Sequence, residues 1–288
     1  MDQIFTQMFS MQPYIQDTDK EIAATQILKE IVLCGLSRAG IFRSAALYGD
    51  TALKMFYDSE RSSEILEFKS SVAGQPVRFE DCYEILQKEI SSYGFWMGVE
   101  DPGNRKKTGN NSSNKTETIL VFEEDRCTFG VPGLSRIKLL LKADPNPADY
   151  AGYEHRYRLL PAPYEIRLYD GPSLMAEIIY SLLDHSSRRM QSGKYLYDYT
   201  LCLGKNIPVN LRHLRRHLIR SGQISAGEKF KEQDLKSMLI EMFRKINFDR
   251  IKREVLPFVR DPRPVELWSR DFFEHITETL ISYDLFVS

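Results

Sequence analysis

The pattern of apolar residues changes at Gly171-Pro172, and this change constrains the fold more than any other feature of the sequence. Before it, short apolar runs typical of strands alternate with helical segments. After it, apolar residues recur at helical spacing in stretches at about 173–190, 193–204, 210–221, 231–245 and 263–286. The sequence therefore predicts an α+β protein, with a mixed-sheet head at residues 1–165 and a C-terminal helical bundle at residues 166–288.

Segments of both kinds alternate within the head. Thr18 and Glu21 have the spacing of a capping box, and the apolar residues behind them predict a helix that runs to about Leu36. Shorter helices are predicted at 51–57 and 79–93. Strands are predicted at 41–48, 63–70, 95–99, 118–122, 136–142, 156–160 and 165–169. A polar stretch at 101–117 predicts a surface loop between the third and fourth of these strands.

Composition and charge exclude several classes of protein. With 39 basic and 40 acidic residues the net charge is −1, so attraction to a polyanion needs a local patch. The four cysteines are widely separated and lack metal-ligand spacing, which predicts buried free thiols in a reducing compartment. The N-terminus lacks the pattern of a signal peptide, and no apolar run is long enough to span a bilayer. We therefore expect a cytoplasmic protein with no membrane partner.

Two stretches have the composition of a nucleotide-binding site. The first begins at Tyr48-Gly49 and continues into the segment RSSEILEF at 61–68. A strand, a glycine turn and a helix start can bind phosphates through backbone N–H groups. Carboxylates two residues apart on the following strand would point to one face and could share divalent metal ions. The second stretch, GKYLYDY at 193–199, begins a predicted helix.

At these residues the chain resembles the AbiEii/AbiGii family of nucleotidyltransferase toxins. Members carry a G-G-T-A-L turn, an R-F-S-E-D-L-D-F strand, a lysine on a later helix and a G-R-D-x-Y-D segment. The corresponding segments of this sequence are 49–53, 61–68, 176–178 and 193–199, in the same order. The resemblance extends from about Ile22 to Phe273, nearly the whole chain, and it implies a nucleotidyltransferase-like fold.

The resemblance also implies a chemistry and a set of partners. Members transfer a nucleotide from a nucleoside triphosphate to an acceptor hydroxyl, with two Mg²⁺ ions held by strand carboxylates. The toxins act in bacterial toxin–antitoxin and phage-defence systems, and related members modify tRNA ends. An NTP, RNA such as tRNA and a cognate antitoxin are therefore the implied partners. The positions that match the nucleotide-binding motifs are Gly49, Asp50, Thr51, Ser63 and Lys194.

The departures from the family pattern fall on the chemistry. The second turn glycine, the metal-binding acids, the helix lysine and the later aspartate are replaced by Asp50, Ile65, Leu140, Lys142, Ile178 and Tyr195. Glu67 and Asp198 remain as candidate catalytic residues. Glu64 and Glu67 are the candidate metal ligands, although residues three apart on a strand point to opposite faces unless a bulge intervenes. Asp144 is predicted to lie in a surface turn.

Several of these residues also have a simpler structural interpretation. Gly49 and Thr51 can form an ordinary strand-to-helix turn and its cap. Asp198 is either a site residue or a buried hydrogen-bond acceptor that fixes the helical domain to the head. The tyrosines of GKYLYDY, Tyr199 among them, are predicted to be packing residues with their hydroxyls in water.

Basic residues cluster in the helical domain. The candidate surface residues are Arg188, Arg189, Arg212, Arg215 and Arg216. This stripe predicts contact with an RNA backbone or an acidic protein partner, with an ordinary solvated face as the third interpretation. His213 and His217 share a helix face at metal-like spacing, but the arginines around them disfavour a metal site.

Two main hypotheses describe the function. In the first, the chain is a degenerate nucleotidyltransferase, a pseudoenzyme that keeps the fold and a binding role toward RNA or an antitoxin. In the second, it is an active nucleotidyltransferase that modifies RNA or protein with a rebuilt acidic site, in which Glu67 acts with Glu64, Asp50 or Asp144. A third, structural hypothesis makes it the partner of an active paralogue. Mg²⁺ is expected as a cofactor under the second hypothesis, and no cofactor is expected otherwise.

Overall fold

The computed structural model describes residues 3–11, 17–61, 63–71, 77–101, 116–123, 134–145, 149–184, 192–259 and 261–283. The chain divides into two compact units. The first unit takes its residues from Met1–Ala52, Ser62–Ala148 and Glu154–Leu168. The second unit takes its residues from Leu53–Arg61, Asp149–Tyr153 and Tyr169–Ser288. Each unit is therefore assembled from discontinuous segments.

A seven-stranded mixed sheet forms the centre of the first unit within the described residues. Its strands are β1 (Ala45–Tyr48), β2 (Ile65–Ser70), β3 (Gly98–Glu100), β4 (Thr116–Glu123), β5 (Arg136–Asp144), β6 (Tyr153–Arg158) and β7 (Tyr164–Tyr169). The strand order is β3-β4-β5-β2-β1-β7-β6, so β3 and β6 are the edges. β2 runs antiparallel to β1 and parallel to β5, while β4 runs antiparallel to β3 and to β5. The predicted mixed sheet is confirmed.

Alternating burial along the central strands gives the sheet one apolar face and one mixed face. On β2, Leu66 and Phe68 are fully buried, while Glu67 between them is half-buried and points to the other face. On β5, Leu141 is fully buried and Lys142 beside it is half-buried. The mixed face of β2 and β5 therefore carries the candidate site residues.

The helices described before β3 are α1 (Gln3–Ser10), α2 (Asp17–Arg38), α3 (Gly49–Phe56) and α4 (Tyr83–Ser92). α2 packs against α4, and its Ile27 and Ile31 are fully buried. Lys29 of α2 is also buried, and its Nζ donates a hydrogen bond to the carbonyl of Ser63 at 2.9 Å. α2 thus supports the segment that leads into β2.

The second unit is a bundle of helices, as the sequence predicts. Its elements are α5 (Gly171–Leu183), α6 (Ser192–Gly204), β8 (Val209–Asn210), α7 (Leu211–Arg220), α8 (Glu232–Arg244), α9 (Phe248–Val255), α10 (Arg263–Glu266), α11 (Arg270–Thr277) and β9 (Ser282–Tyr283). The apolar helix α5 contacts α6, α7 and α8. The ring of Phe273, fully buried, lies 5.0 Å from that of Phe243 and 5.5 Å from that of Trp268, between centroids. This aromatic cluster forms the core of the C-terminal part of the bundle.

The C-terminal region differs from the sequence prediction of one helix at 263–286. The structure has two short helices, α10 and α11, followed by strand β9. Ser269 begins α11, because its hydroxyl accepts a hydrogen bond from the N–H of Phe272 at 3.1 Å. α9 lies where no helix is predicted, and Asn247 caps it by accepting from the N–H of Arg250 at 3.0 Å. Side-chain caps therefore start separate short helices in a region where apolar spacing alone does not predict these helix ends.

Two side chains lie in environments that differ from the predicted ones. Asp144 is the last residue of β5 rather than part of a surface turn, and its carboxylate lies 3.5 Å from Lys69 Nζ. Tyr199 is fully buried, and its hydroxyl shares a hydrogen bond with Thr277 at 2.8 Å instead of with water. In both cases a segment distant in sequence supplies the partner.

The cysteines agree with the sequence prediction where the structure describes them. Cys34, Cys82 and Cys202 are buried free thiols. Burial raises the pKa of Cys34 to about 12, so its reactive thiolate form is scarce at neutral pH. Of the helices described, none is long and apolar enough to cross a membrane.

Candidate functional site

The turn between β1 and α3 is the first part of the candidate site. Gly49 begins α3 with a φ of 75°, a left-handed conformation that glycine adopts without steric cost. A Cβ at this position would overlap Oε2 of Glu67, whose side chain reaches the turn from β2. Tyr48 pairs with Glu67 in the β1–β2 register, which accounts for the close approach. The structure thus brings Gly49 and Glu67 together.

Gly49→Ala should destabilise the first unit by about 2–3 kcal/mol. Alanine at a φ near 75° costs about 1–2 kcal/mol, and its methyl group would also displace the Glu67 carboxylate. Urea denaturation followed by circular dichroism measures the loss. Gly94 is the matched control, because it has a φ of 80° and a Cβ there would meet no atom within 4 Å. Equal losses of stability in Gly49→Ala and Gly94→Ala would show that displacement of the Glu67 carboxylate adds no cost.

The other candidate residues near this turn are engaged inside the first unit. Thr51 is buried, and its hydroxyl donates a hydrogen bond to the carbonyl of Ile65 at 2.7 Å. Ser63 Oγ accepts a hydrogen bond from the N–H of Ile65 at 3.2 Å. Asp50 is also buried, with 7% of its surface exposed. Thr51 and Ser63 therefore hold the first residue of β2, which gives both a structural role.

The four positions that the family resemblance assigns to metal-binding acids lie side by side on the mixed face of the sheet. β2 and β5 are parallel neighbours in which Ile65 pairs with Leu140 and Glu67 pairs with Lys142. Neighbouring strands lie about 4.8 Å apart, so the side chains at these four positions are adjacent. These four adjacent positions hold one carboxylate, two apolar side chains and one ammonium group.

Two lysines form ion pairs with the other acids of this face. Lys69 Nζ lies 3.5 Å from the Asp144 carboxylate, and both side chains are largely buried. The same ammonium group lies 5.4 Å from the ring centroid of Tyr48. Lys142 Nζ lies 3.7 Å from the carboxylate of Glu117, its register partner on β4. Lysine side chains therefore lie beside Asp144 and Glu117 on this face.

This donor set does not fit two magnesium ions. Mg²⁺ takes oxygen ligands in near-octahedral geometry, and two-metal sites depend on shared carboxylates. Glu67 is the single carboxylate among the four paired positions of β2 and β5, and Lys142 stands beside it. Glu64, the other candidate ligand, is exposed and precedes β2. No step of a reaction can therefore be assigned to magnesium on these residues.

Asp198 forms a bidentate ion pair with Arg61 within the second unit. Nη2 of Arg61 lies 2.7 Å from Oδ2 of Asp198, and Nε donates to Oδ1 at 3.2 Å. The Asp198 side chain is 1% exposed and the Arg61 side chain is 7% exposed. This geometry is the strong fork arrangement of guanidinium and carboxylate. Asp198 is therefore a buried hydrogen-bond acceptor that anchors the segment Leu53–Arg61 to α6 within the second unit.

The candidate basic surface has partners within the second unit. Arg216 and Arg220 contact the carboxylate of Asp149 at 2.6 and 2.9 Å. The hydrogen bond from Arg216 lowers the pKa of Asp149. The guanidinium of Arg212 lies 3.8 Å from the ring centroid of Tyr150, as in a cation–π contact. Much of this positive charge is therefore directed toward neighbouring groups.

The remaining basic candidates differ in how they are placed. Arg215 donates hydrogen bonds to the carbonyl oxygens of Ala226 and Glu228 at 2.6 and 2.9 Å. Lys194 Nζ lies 5.9 Å from the ring centroid of Tyr195. Arg188 and Arg189 lie outside the described residues. Lys194 and Asp198 belong to the second unit, whereas Glu67 belongs to the first.

Lys69 and Arg61 have roles that the sequence analysis does not assign. Lys69 follows Glu67 by two residues on β2, so the alternation of a strand already places both on one face. Arg61 keeps the first residue of the strand motif and Asp198 keeps the last acid of the later motif. The retention of both, among so many replaced positions, is the signal that could have suggested their pairing.

Comparisons with known proteins give one family and distant structural neighbours. The sequence matches the family model described as "Nucleotidyl transferase AbiEii toxin, Type IV TA system" over residues 31–275. No curated protein matches it significantly. JHP933 from Helicobacter pylori is 13% identical, with 90% of each chain covered and a TM-score of 0.49. An antigenic nucleotidyltransferase-like protein from Paracoccidioides brasiliensis is 13% identical, with 88% of this chain and 94% of that chain covered and a TM-score of 0.45.

Proposed function

This chain belongs to the AbiEii family of nucleotidyltransferase toxins of type IV toxin–antitoxin systems, and we propose that it serves there as a binding protein without Mg²⁺-dependent nucleotidyl transfer. Under this proposal it keeps the family fold and a surface for a cognate antitoxin. Its setting is the bacterial cytoplasm, in phage defence.

The filling of the acid positions on β2 and β5 is the observation that carries this proposal. Ile65, Glu67, Leu140 and Lys142 occupy them in direct register. A triphosphate is strongly anionic, and the metal ions of a nucleotidyltransferase neutralise it while they position the reacting oxygens. A face with one carboxylate beside a lysine lacks the oxygen ligands for such a pair of ions.

The turn at Gly49 adds an electrostatic barrier to nucleotide binding. Helix N-termini stabilise anions through their backbone N–H groups. Here the carboxylate of Glu67 reaches the first residue of α3, and Asp50 is the second residue of that helix. Because like charges repel at short distance, a phosphate group would have to compete with these carboxylates.

Glu67→Gln tests the proposal with two readouts, nucleotide affinity and nucleotidyl transfer, of which the second separates it from an active enzyme. Glutamine keeps the shape of glutamate and removes its charge, so a phosphate would lose about 1–4 kcal/mol of repulsion at a separation of ~4 Å. We expect the variant to bind ATP at least about fivefold more tightly than wild type in magnesium-free buffer, measured by calorimetry. An active enzyme would instead lose its transfer of labelled NTP, with an unchanged melting temperature.

Glu64→Gln is the matched control for this experiment. Glu64 is exposed and lies three residues before Glu67, so its change removes a charge from the same stretch without touching the turn. Wild-type protein should label neither RNA nor protein with any of the four NTPs in the presence of Mg²⁺. Labelling by wild type that Glu67→Gln abolishes and Glu64→Gln preserves would overturn the proposal.

The position of Asp144 favours the alternative, an active enzyme that modifies RNA such as tRNA or a protein. Asp144 lies two residues after Lys142 on β5, on the same face as Glu67. Release of Asp144 from Lys69 would give two carboxylates on one face, a minimal set for Mg²⁺. The labelling assay just described decides between the alternatives, since this one requires transfer by the wild-type chain.

The partner that we propose is a protein antitoxin rather than RNA. Binding to an RNA backbone depends on Lys and Arg side chains that replace condensed counterions. Arg212, Arg215 and Arg216 each have a contact within the second unit that would compete with phosphate. Tight, strongly salt-dependent binding of tRNA at physiological ionic strength would favour RNA instead.

A further inference from the structure

A cluster of two histidines and one glutamate lies in the second unit. Glu177 is on α5, and His213 and His217 lie one turn apart on α7. Oε1 of Glu177 lies 3.1 Å from Nε2 of His213 and 3.3 Å from Nε2 of His217. The three ligand atoms all lie within 4.8 Å of one another. Among the described residues, no other three His, Cys, Asp or Glu side chains converge in this way.

The hydrogen bonds of His213 place either a proton or a metal ion between its ring and Glu177. His213 is fully buried, and its Nδ1 lies 2.8 Å from the carbonyl oxygen of Asp149. A carbonyl oxygen only accepts, so Nδ1 carries the proton. In the neutral ring, Nε2 then carries a lone pair and faces a carboxylate oxygen of Glu177 at 3.1 Å. Both atoms are acceptors, and two acceptors repel each other. Either a second proton or a metal ion must lie between them.

The two separations from Glu177 match those between ligands of one metal ion, and all three ligand atoms lie within 4.8 Å of one another. In tetrahedral zinc sites, nitrogen and oxygen ligands lie about 2.0–2.1 Å from the ion, which places them about 3.3 Å from one another. The two separations from Glu177 are 3.1 and 3.3 Å. The hydrogen bond from His213 to the Asp149 carbonyl is the kind of contact that orients a metal-binding imidazole.

The surroundings of the cluster hold the rings in place and leave one side accessible. The Tyr180 ring packs on His217 at 4.8 Å and the Tyr169 ring packs on His213 at 5.9 Å, between centroids. The side chains of His217 and Glu177 are 12% and 16% exposed, whereas that of His213 is 0% exposed. An ion can therefore enter from the side of His217.

The arginines of α7 do not by themselves exclude a cation from this cluster, contrary to the argument from sequence. Arg216 and Arg220 are directed toward the carboxylate of Asp149. Arg212 lies over the ring of Tyr150. Their positive charges are thus placed against other groups rather than against the two histidines.

We propose that Glu177, His213 and His217 bind one divalent transition metal ion, of which Zn²⁺ is the natural choice. Two imidazole nitrogens and one carboxylate, with a fourth position open to water, suit Zn²⁺. Mg²⁺ prefers ligand sets made of oxygen alone. The ion joins α5 to α7, and it involves none of the residues on the β2–β5 face.

Zinc titration of the full-length protein tests this proposal. Protein stripped with a chelator is titrated with Zn²⁺ against a chromophoric competitor, and with Co²⁺ for the visible absorption of a four-coordinate site. We expect one ion per chain, with affinity lowered more than about 100-fold in His217→Asn and in Glu177→Gln. His155→Asn is the matched control, because His155 contacts Glu165 at 2.6 Å without a third ligand among the described residues.

Either of two results would overturn the proposal. If the wild-type chain binds no ion stoichiometrically and gives no cobalt absorption, a proton alone lies between His213 and Glu177. If His217→Asn and Glu177→Gln fold normally by circular dichroism and bind Zn²⁺ like wild type, the ion lies elsewhere. The wild-type spectrum decides the first point independently of the variants, so a variant that fails to fold does not weaken the test.

Discussion

Asp198→Asn should lower the free energy of unfolding by about 3–5 kcal/mol, the usual cost of removing one charge from a buried ion pair. The carboxylate of Asp198 and the guanidinium of Arg61 are almost completely shielded from water, with 1% and 7% of the side chains exposed. Asparagine has nearly the same shape, so the loss measures the charge and not a cavity. Urea denaturation monitored by circular dichroism and by tryptophan fluorescence provides the measurement.

The double variant Arg61→Met/Asp198→Leu shows whether the cost arises from burial of an uncompensated charge. Apolar pairs often replace buried ion pairs without net loss, so we expect it to regain about 2 kcal/mol or more over Asp198→Asn. Lys205→Met is the surface control. Lys205 contacts Asp58 at 2.9 Å, but the side chains are 35% and 89% exposed, and its removal should cost less than about 1 kcal/mol. Wild-type stability in Asp198→Asn would refute the anchoring role of the pair.

Ile65→Asp/Lys142→Asp should confer nucleotide binding that depends on Mg²⁺. Ile65 and Lys142 occupy two of the four adjacent positions on β2 and β5, so both new carboxylates would stand beside Glu67 on one face. They would supply the shared oxygen ligands that two metal ions require. At a ligand concentration 100 times Kd, we expect a stabilisation of about 2.7 kcal/mol, measured as a thermal shift with Mg²⁺ and each NTP.

Ile65→Asn/Lys142→Asn provides the control with matched shape. It removes the same lysine from Glu117 and introduces polar groups of the same size, but it adds no charge. This variant and the wild type should show no shift. A shift in the wild type would contradict this prediction, and the labelling assay of the wild type tests the proposed function separately. If Ile65→Asp/Lys142→Asp folds but shows no thermal shift, only one view is contradicted: that two carboxylates at these paired positions are sufficient for Mg²⁺-dependent nucleotide binding.

Local sequence patterns predict much of the first unit because each strand has its own alternation. The predicted strands at 63–70, 118–122 and 136–142 lie within two residues of the observed bounds of β2, β4 and β5. The C-terminal region is less predictable because caps, and not apolar spacing, set its helix ends. Asn247 starts α9, where apolar spacing predicts no helix. Ser269 starts α11 within a stretch that apolar spacing predicts as one helix.

The candidate site is less accessible from sequence because its charges are balanced across strands and helices. Lys142 is recognisable in the sequence as the loss of an acid. Its placement between Glu67 and Glu117 depends on the strand order β2-β5-β4, which no local pattern specifies. The pair formed by Arg61 and Asp198 joins residues that are 137 positions apart. Motif comparison finds such residues singly, and only the fold shows which of them meet.

Strand β6 ends the sheet at one edge with the sequence YEHRYR. His155, Arg156 and Tyr157 are exposed along it, and Arg156 forms an ion pair with Glu154 at 3.0 Å. The outer side of an edge strand is a template for any extended chain, and charged side chains oppose that pairing. We therefore expect the charged side chains of β6 to oppose edge-to-edge pairing with other chains.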